Sequence, residues 1–585
     1  MSIGSFSLRA WCSGGLSAAG ILMAGWLAAE EPAKTAPPIE TKEAKPEAKP
    51  TEKPEAKPAA PPRVRVAEPA AVAKEVDRLL AEEMKYDSAK LAAKADDGTF
   101  LRRVSLDIAG VNPTPAEIDK FLLDPDPAKR QKLVVAKLAT AKYAENWAWY
   151  WRDVIMYRRS EDRAQIVNQA LTTYLKDSLA ANKGWDEIAT AFITATGDVR
   201  TDGHTGLIMA QNGRPEETVA EISRIFLGIQ IQCAQCHNHP TDAWQREQFH
   251  ELAAFFPRVA VRPSQQQTAD RTFLIEGTDN NRFGRGEFMG NRFRGTNEHR
   301  MPDLKNPSAP GKTMSPVFFV TGQKVSLGAS DKERRGKLAE WITSEKDPWF
   351  AKAFVNRLWS ELLGEGFHEP VDDLGPEREV SAPQTFDYLA AAWAKEKYDV
   401  KWLFETITAT EAYQRASRPR RQENEPAFAA QINQRLRADQ IYSNLTQAFG
   451  EAPQRFGFGG RGGGGGRFGF GGARFQFNAV FGYDPSTRRD EIASSIPQAL
   501  MLMNGSQVTQ AANSRGFAGL SKLLRDNPKN DDMTAALYLR ILGREPTTSE
   551  LTTVDNYIRS ANDRALGYED LAWALLNSTE FVHRP

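Results

Sequence analysis

The sequence predicts a mainly α-helical protein: two helical domains joined by a long irregular connector, with a disordered spacer near the N-terminus. Apolar residues recur at helical spacing in both halves of the chain, and long stretches without periodicity lie between them. The predicted segments are a signal peptide at 1–29, a linker at 30–66, a helical domain at 67–261, a connector at 262–326, and a second helical domain at 327–585 with a Gly-rich loop at 456–477.

The first residues have the pattern of an export signal. Arg9 supplies a positive charge, and the apolar stretch from Leu16 to Leu27 is too short for a comfortable membrane span. Small residues, Ala28 and Ala29, follow it at a plausible cleavage point. We therefore expect an exported protein, periplasmic or at the cell surface, with a retained membrane anchor as the alternative.

The linker is built from Pro, Ala, Lys and Glu in near-repeats such as E-A-K-P at 43–46 and 47–50. Proline at this frequency prevents a continuous helix, and almost no apolar side chain is present to bury. A disordered, semi-stiff spacer is the predicted result.

Three segments of the first helical domain justify the helical prediction. Apolar residues stand at positions 72, 76, 79 and 80, which is helical spacing. Thr114, followed by Pro115 and Glu117, predicts a capped helix start. The aromatic-rich segment 145–156 predicts core packing rather than a cofactor site.

Charge excludes one class of partner. The chain has 75 Lys and Arg against 75 Asp and Glu, so it is formally neutral and we expect no nucleic acid partner. The Arg-Gly-Phe composition of 456–477 is therefore interpreted as a flexible surface loop.

The most informative motif is C-A-Q-C-H at 233–237. Cys12 lies in the signal segment, which leaves Cys233 and Cys236 as the cysteines of the mature chain, followed directly by His237. C-x-x-C-H is the attachment signature of c-type haem. The two thiols add to the porphyrin vinyl groups and the histidine takes an axial position on iron. The predicted cofactor is haem c, bound by these three residues.

The spacing also predicts local structure. A helix through the motif would place Cys233, Cys236 and His237 on one face. Pro240 would end that helix, and Thr241 or Asp242 would cap the next one. The distal ligand of the iron has four candidates: His204, Met209, His239 and His250.

Two further interpretations of the motif stay open. A non-haem metal, such as zinc, would use a tetrahedral thiolate and imidazole set. That set is Cys233, Cys236, His237 or His239, and His250 or Asp242. Alternatively, the cysteines form a disulfide, either a redox pair or a structural staple in a surface or binding protein, with no cofactor.

The remaining charged motifs are interpreted as structural. Asp372 and Asp373 precede a turn and are expected to face solvent, with a cation site as the alternative. Arg102 and Arg103 are expected to serve as ion-pair partners of Asp107, with an anion site as the alternative. The sequence contains no G-x-S-x-G, Walker or H-E-x-x-H motif, and we assign no enzyme class.

Several longer segments resemble known families. Residues 100–115 and 226–240 resemble the opening and the central signature of the planctomycete cytochrome-c-like domain, a family of otherwise unknown function. The later segments resemble a second planctomycete-specific domain that usually follows it: 356–359, 373–375, 497–500, 537–547 and 572–581. The resemblance covers nearly all of the chain from about residue 70 and implies haem in the first domain.

This chain departs from the family pattern at two places. Asn238 and Thr241 stand where the family commonly has Asp and Phe. The second domain usually has an S-H-P element, which is here Ser381-Ala382-Pro383, so any role of that histidine is absent. The predicted function is single-haem electron transfer or redox chemistry with an unknown redox partner and an association with the cell envelope.

Overall fold

The structure, a computed structural model, describes eight stretches of the chain. They are residues 65–87, 90–264, 272–279, 298–418, 425–450, 473–488, 491–515 and 519–585. The predicted signal peptide, nearly all of the predicted linker and most of the predicted Gly-rich loop lie outside the described residues.

The mainly α-helical fold class is confirmed. The α-helices that precede residue 260 are Pro69–Met84, Asp97–Val104, Pro115–Leu122, Lys129–Leu138, Ala141–Met156, Asn168–Ala180, Trp185–Ile193, Gly206–Ala210, Pro215–Ile222 and Arg246–Ala253. Shorter π-helical turns occur at Ser105–Ala109 and Ser223–Leu227, and 3-10 turns at Asp162–Val167, Gly203–Thr205 and Ile231–Gln235.

The rest of the described chain is also mainly helical. Its α-helices are Asp331–Ile342, Pro348–Leu363, Pro383–Lys395, Val400–Ala409, Glu411–Gln414, Ala438–Phe449, Ala473–Phe481, Ile496–Asn504, Ser506–Ala511, Leu520–Asp526, Asn530–Ile541, Thr548–Ser560, Arg564–Leu576 and Thr579–Val582. Within these stretches, no helix is both long enough and apolar enough to span a bilayer.

The strands are short. One antiparallel sheet orders Gly197–Asp198, Phe273–Gly277 and Val259–Pro263, with Val261 opposite Ile275. The two-residue pairs are Arg300–Met301 with Lys312–Thr313, Val317–Phe318 with Gln323–Lys324, Gln434–Arg435 with His583–Arg584, and the parallel pair Ser417–Arg418 with Gln431–Ile432. Several of these strands fall in the described parts of the predicted connector.

Local sequence signals account for the first helices. Pro69 occupies the first turn of Pro69–Met84, whose residues at 72, 76, 79 and 80 are buried as their spacing predicted. Thr114 and Glu117 form a reciprocal capping box at the start of Pro115–Leu122. The helix predicted through residues 72–80 and the capped helix start predicted at Thr114 are both confirmed.

The aromatic-rich helix Ala141–Met156 packs into the main core, as predicted. The Trp151 ring stacks on the Phe354 ring at 5.3 Å, and the Trp147 ring meets Phe404 edge-on at 4.8 Å. Phe354 and Phe404 both follow the predicted connector in the chain, so side chains from before and after it share one hydrophobic cluster. The predicted domain boundaries themselves stay a prediction.

A second hydrophobic cluster is formed by the C-terminal part of the chain. It contains buried residues from Leu436 to Phe581, and Leu106 joins it from the N-terminal part. The helices Ala438–Phe449 and Asn530–Ile541 contribute much of its apolar surface.

Buried polar contacts join the C-terminal residues to residues 102–107. Arg103 donates to a main-chain oxygen of Pro585 at 3.0 Å, and Arg102 to the Glu580 carbonyl at 2.7 Å. Asp107 forms its ion pair with Arg584, at 2.5 Å. The interpretation of Arg102 and Arg103 as the ion-pair partners of Asp107 is therefore corrected: their guanidiniums bind backbone carbonyls, and the carboxylate is paired by an arginine from the other end of the chain.

Candidate functional site

The helix that leads to the cysteines ends before it reaches them. Helix Pro215–Ile222 continues into the π-helical turn Ser223–Leu227 and stops at Gly228, which has a left-handed φ of 68°. A Cβ at this position would lie 2.9 Å from a Leu374 methyl carbon, so the chain is tightly packed where it turns. The prediction of one helix through Cys233 is wrong, because left-handed Gly228 ends the helix.

A short 3-10 turn, Ile231–Gln235, carries the first cysteine, and Cys236 follows it directly. Ile231 and Ala234 are buried, whereas Cys233 and Cys236 are exposed free thiols. Both thiols therefore stand on the solvent side of the turn, and they are not joined by a disulfide in this structure.

His237 is exposed and its ring is oriented by the backbone. Nδ1 lies 2.7 Å from the Asn238 carbonyl oxygen. A carbonyl oxygen only accepts, so Nδ1 carries the proton and Nε2 of the neutral ring keeps its lone pair. The arrangement leaves one imidazole nitrogen of the motif available to a metal ion.

Helix Arg246–Ala253 is joined to the motif by hydrogen bonds. The Gln235 carbonyl accepts from His250 Nε2 at 3.0 Å and from Arg246 Nε at 3.3 Å. The backbone N–H of Arg246 also donates to the Asn238 side-chain oxygen at 3.0 Å. The predicted cap at Thr241 or Asp242 is wrong, because the helix begins after Gln245, whose backbone N–H donates to the Gln248 side-chain oxygen at 2.7 Å.

His250 belongs to a buried imidazole pair. Its Nδ1 lies 2.9 Å from His299 Nε2, and His299 Nδ1 lies 3.8 Å from a Glu216 carboxylate oxygen. Burial lowers the pKa of His250, and burial also lowers the pKa of His299 to about 4, against the opposing charge of Glu216. Both rings are therefore neutral near pH 7, and each nitrogen of His250 is engaged.

The candidate distal ligands lie in different surroundings. Met209 is fully buried in the main core, and the His204 ring lies 5.7 Å from the Tyr174 ring. His239 follows the motif, and its Nδ1 accepts weakly from the Thr241 N–H at 3.4 Å. The structure thus keeps His239 and His250 next to the motif; the identity of a distal ligand stays a prediction.

The alternative metal set of Cys233, Cys236, His239 and His250 also stays a prediction. In the part of the chain that the structure describes, no three His, Cys, Asp or Glu side chains are grouped to hold a metal ion. His250 would have to give up both of its hydrogen bonds to enter such a set. Asp242, the other candidate, has a side chain that is 1% exposed and faces Arg378.

Asp372 is buried, so the expectation that it faces solvent is wrong. Its side chain is completely buried among arginines: Arg224 at 3.3 Å, Arg357 at 3.6 Å and Arg158 at 3.8 Å. Burial alone would raise the pKa of this carboxyl, but the three positive charges outweigh it and hold the pKa below its usual value. The other oxygen of Asp372 accepts from Gln230 at 2.9 Å.

Residues 228–242 carry the motif and are called here the motif loop. Residues 372–378, called segment 372–378, lie along this loop. The Leu374 N–H donates to the Gly228 carbonyl at 2.7 Å. Gly375 abuts Asp242 so closely that an added Cβ would lie 1.9 Å from the carboxylate oxygen. Sequence reasoning gave no role to this contact, although the resemblance at 373–375 marked the segment.

Arg378 completes the contact between the two segments. It donates to the Thr241 carbonyl at 3.3 Å and to the Thr241 hydroxyl at 3.2 Å, and its Nε lies 3.4 Å from Asp242. It also pairs with Asp373 at 3.1 Å. Sequence reasoning missed Arg378, Arg246 and His299, because no local pattern marks a residue that acts across the fold.

Comparison with protein families identifies both regions. Residues 75–261 match the family PSCyt2, described as a protein of unknown function (DUF1549), and residues 334–459 match PSD1, also described as a protein of unknown function (DUF1553). The chain carries the planctomycete-type domain pair. The motif loop lies in the PSCyt2 region and segment 372–378 in the PSD1 region, so the two regions meet at the motif.

No curated protein and no solved structure matches the chain. Two small cavities of the described residues lie away from the motif, one beside Asn146 and Trp149 and the other beside Glu365 and Arg418. The chemistry of the motif is therefore judged from its own donor set. Two exposed thiols and an imidazole with a free Nε2 suit covalent haem attachment.

Proposed function

We propose that this PSCyt2–PSD1 protein is an exported electron-transfer protein that carries one covalently attached haem c. Cys233 and Cys236 would form the two thioether bonds, and His237 would be an axial ligand of the iron. One observation carries the proposal: both thiols are free and exposed to solvent, next to an imidazole whose Nδ1 is held by the Asn238 carbonyl, which leaves Nε2 to face a ligand.

The haem would supply one-electron redox chemistry, and the protein would supply attachment and orientation. The hydrogen bond from Nδ1 to the Asn238 carbonyl fixes the tautomer and turns the ring of His237. The contacts of Gln235 with His250 and Arg246 hold the turn between the two cysteines.

Exposure of the motif favours exchange of electrons with another protein. Cys233, Cys236 and His237 are all exposed, so a haem attached there would be reachable from solvent. A proteinaceous redox partner in the cell envelope suits this position and the export signal, and the absence of net charge gives no reason to propose nucleic acid.

The test is expression in an exporting host that has haem-maturation machinery. The protein should stain for haem after denaturing electrophoresis, and Cys233→Ser with Cys236→Ser should abolish the stain. His237→Ala should change the visible spectrum, because an axial ligand is lost. His368→Ala is the matched control: His368 Nδ1 also lies 2.7 Å from a backbone carbonyl, but no cysteine precedes it. A colourless wild-type protein from this host contradicts the proposal.

A dithiol redox pair is the second candidate, since Cys233 and Cys236 are free and exposed at the spacing of C-x-x-C. Oxidation would join the two sulfurs, releasing two protons and passing two electrons to a disulfide of a partner. Colourless protein whose thiols oxidise and reduce reversibly would support this candidate. Colourless protein with about one bound metal per chain would support the zinc-like alternative instead.

A further inference from the structure

We infer that segment 372–378 of the PSD1 region positions the motif loop of the PSCyt2 region, with Gly375 and Arg378 as its positioning residues. The inference rests on the proposed function only in naming what is positioned, the cysteines and histidine that would bind haem. It assigns a task to the second region of the pair and gives a physical reason for the two regions to occur in one chain.

The motif loop needs support from outside itself. After the 3-10 turn Ile231–Gln235 the chain has no regular structure until helix Arg246–Ala253 begins. The cysteines and His237 are exposed and make few contacts of their own, so the place of these side chains depends on the ends of the loop. Helix Arg246–Ala253 supports the middle of the loop through Gln235 and Asn238.

Segment 372–378 supports the start of the loop. Its first residue, Asp372, is anchored in the interior by three arginines, and it accepts a hydrogen bond from Gln230 in the loop. Two residues later the Leu374 N–H donates to Gly228, where the preceding helix ends. A buried and fully paired charge thus fixes the segment, and the segment fixes the place where the loop begins.

Segment 372–378 also supports the end of the loop. Asp242 packs into the space that a side chain at Gly375 would occupy, and its carboxylate is nearly fully buried. Arg378 binds two atoms of Thr241 and lies beside the Asp242 carboxylate. A guanidinium has several donors in a rigid plane, so one residue can hold both the backbone and a side chain in a fixed position.

The test is hydrogen–deuterium exchange of the full chain, produced without haem-maturation machinery so that no haem contributes. In Arg378→Gln, amides of residues 231–245 should exchange at least tenfold faster than in the wild type, while those of helix Ala141–Met156 stay unchanged. Arg378→Lys should give an intermediate rate, because it keeps the charge but loses the planar set of donors.

Arg130→Gln is the matched control. The Arg130 side chain is 14% exposed, against 16% for Arg378, and it also binds a carboxylate and a backbone carbonyl, those of Asp97 and Ala95. It should leave exchange in 231–245 unchanged. Equal rates there for the wild type and Arg378→Gln would overturn the inference.

A second variant covers the case in which Arg378→Gln fails to fold. Gly375→Ala should speed exchange in 231–245, since the added methyl displaces Asp242. In an Asp242→Ala background the same change should add less than a twofold effect, because the clashing carboxylate is gone. Effects that simply multiply in the double variant would overturn the inference.

The exchange experiment separates this inference from the proposed function. If maturation-competent hosts give colourless protein while Arg378→Gln still loosens 231–245, the haem proposal fails and the positioning role stands. If haem is attached and exchange is unaffected by the variants, the positioning role fails and the haem proposal stands.

Discussion

Asp372 is a buried residue near the motif, and its carboxylate pairs with three arginines. Three guanidiniums, those of Arg158, Arg224 and Arg357, approach one of its carboxylate oxygens. Arg224 lies in the turn that leads to the motif and Arg357 in helix Pro348–Leu363, so the carboxylate joins the PSCyt2 and PSD1 regions. Arg224 also pairs with Glu221 at 2.6 Å and Arg158 with Asp484 at 2.8 Å, so removing the Asp372 charge would mainly leave the buried Arg357 guanidinium without its carboxylate.

Asp372→Asn is therefore expected to destabilise the protein by about 3–5 kcal/mol, the usual cost of breaking a buried ion pair. Asp373→Asn is the neighbouring control, expected to cost under about 1 kcal/mol because Asp373 is 24% exposed. Chemical denaturation at pH 7 measures both, and equal losses would contradict the expectation.

The Asp372 carboxyl also predicts a pH dependence. Its pKa is lowered in the folded protein, so its stabilising contribution is present above the unfolded pKa of about 4 and is lost as the pH falls further. The unfolding free energy of Asp372→Asn should therefore fall less than that of the wild type as the pH is lowered.

At the scale of elements, the end of the helix at Gly228 decides how the motif is presented. A continued helix would carry the cysteines along its axis, whereas the left-handed turn releases the chain into the 3-10 turn that exposes both thiols. Two requirements meet at this glycine: a φ of 68°, and space for Leu374 and Ala353. Each excludes a side chain for a different physical reason.

Gly228→Ala should cost about 1–2 kcal/mol for the left-handed backbone and about 1–3 kcal/mol more for overpacking. Gly322→Ala separates the two causes, because Gly322 has a similar φ of 70° but nothing within 4 Å of an added Cβ. Gly322→Ala should cost only about 1–2 kcal/mol, which the left-handed backbone requires. Unfolding free energies from chemical denaturation test this, and equal costs at the two positions would show that packing at Gly228 plays no part.

At the scale of the whole molecule, the last residues close the fold on the first helices. Arg584 is 2% exposed, pairs with Asp107 and donates to the Leu362 carbonyl at 2.9 Å. Burial raises the pKa of Asp107, against the lowering effect of Arg584. The Arg584 guanidinium therefore favours the charged form of Asp107, which burial disfavours.

Arg584→Ala should destabilise the protein by about 3–5 kcal/mol, because it removes the ion-pair partner of buried Asp107 and leaves only the Tyr413 hydroxyl, at 2.7 Å, to donate to its carboxylate. Arg559→Ala is the control: Arg559 pairs with Asp555 but its side chain is 74% exposed, so the expected loss is under about 1 kcal/mol. Thermal melting of the two variants distinguishes these outcomes, and a small loss for Arg584→Ala would mean that the C-terminal contact is dispensable.

The sequence by itself determined those features that local patterns encode. The helix at Pro69–Met84, the capping box of Thr114 and Glu117, and the core-facing aromatics at 147 and 151 followed from spacing and capping chemistry. The C-x-x-C-H motif likewise marked the candidate site without any structure, because haem attachment requires those residue types at that spacing.

Only the tertiary structure decided how the site is supported. Asp372 and Arg224 are 148 residues apart, and Asp107 and Arg584 are 477 apart, so no periodicity or motif could pair them. Nothing in the sequence indicated that Asp372, Arg102 and Arg103 are buried. Burial depends on what the rest of the chain packs around a residue. The surroundings of Gly228, where the expected helix ended, were likewise decided by tertiary structure: residues of the PSD1 region, more than 100 positions away, fill the space around that turn.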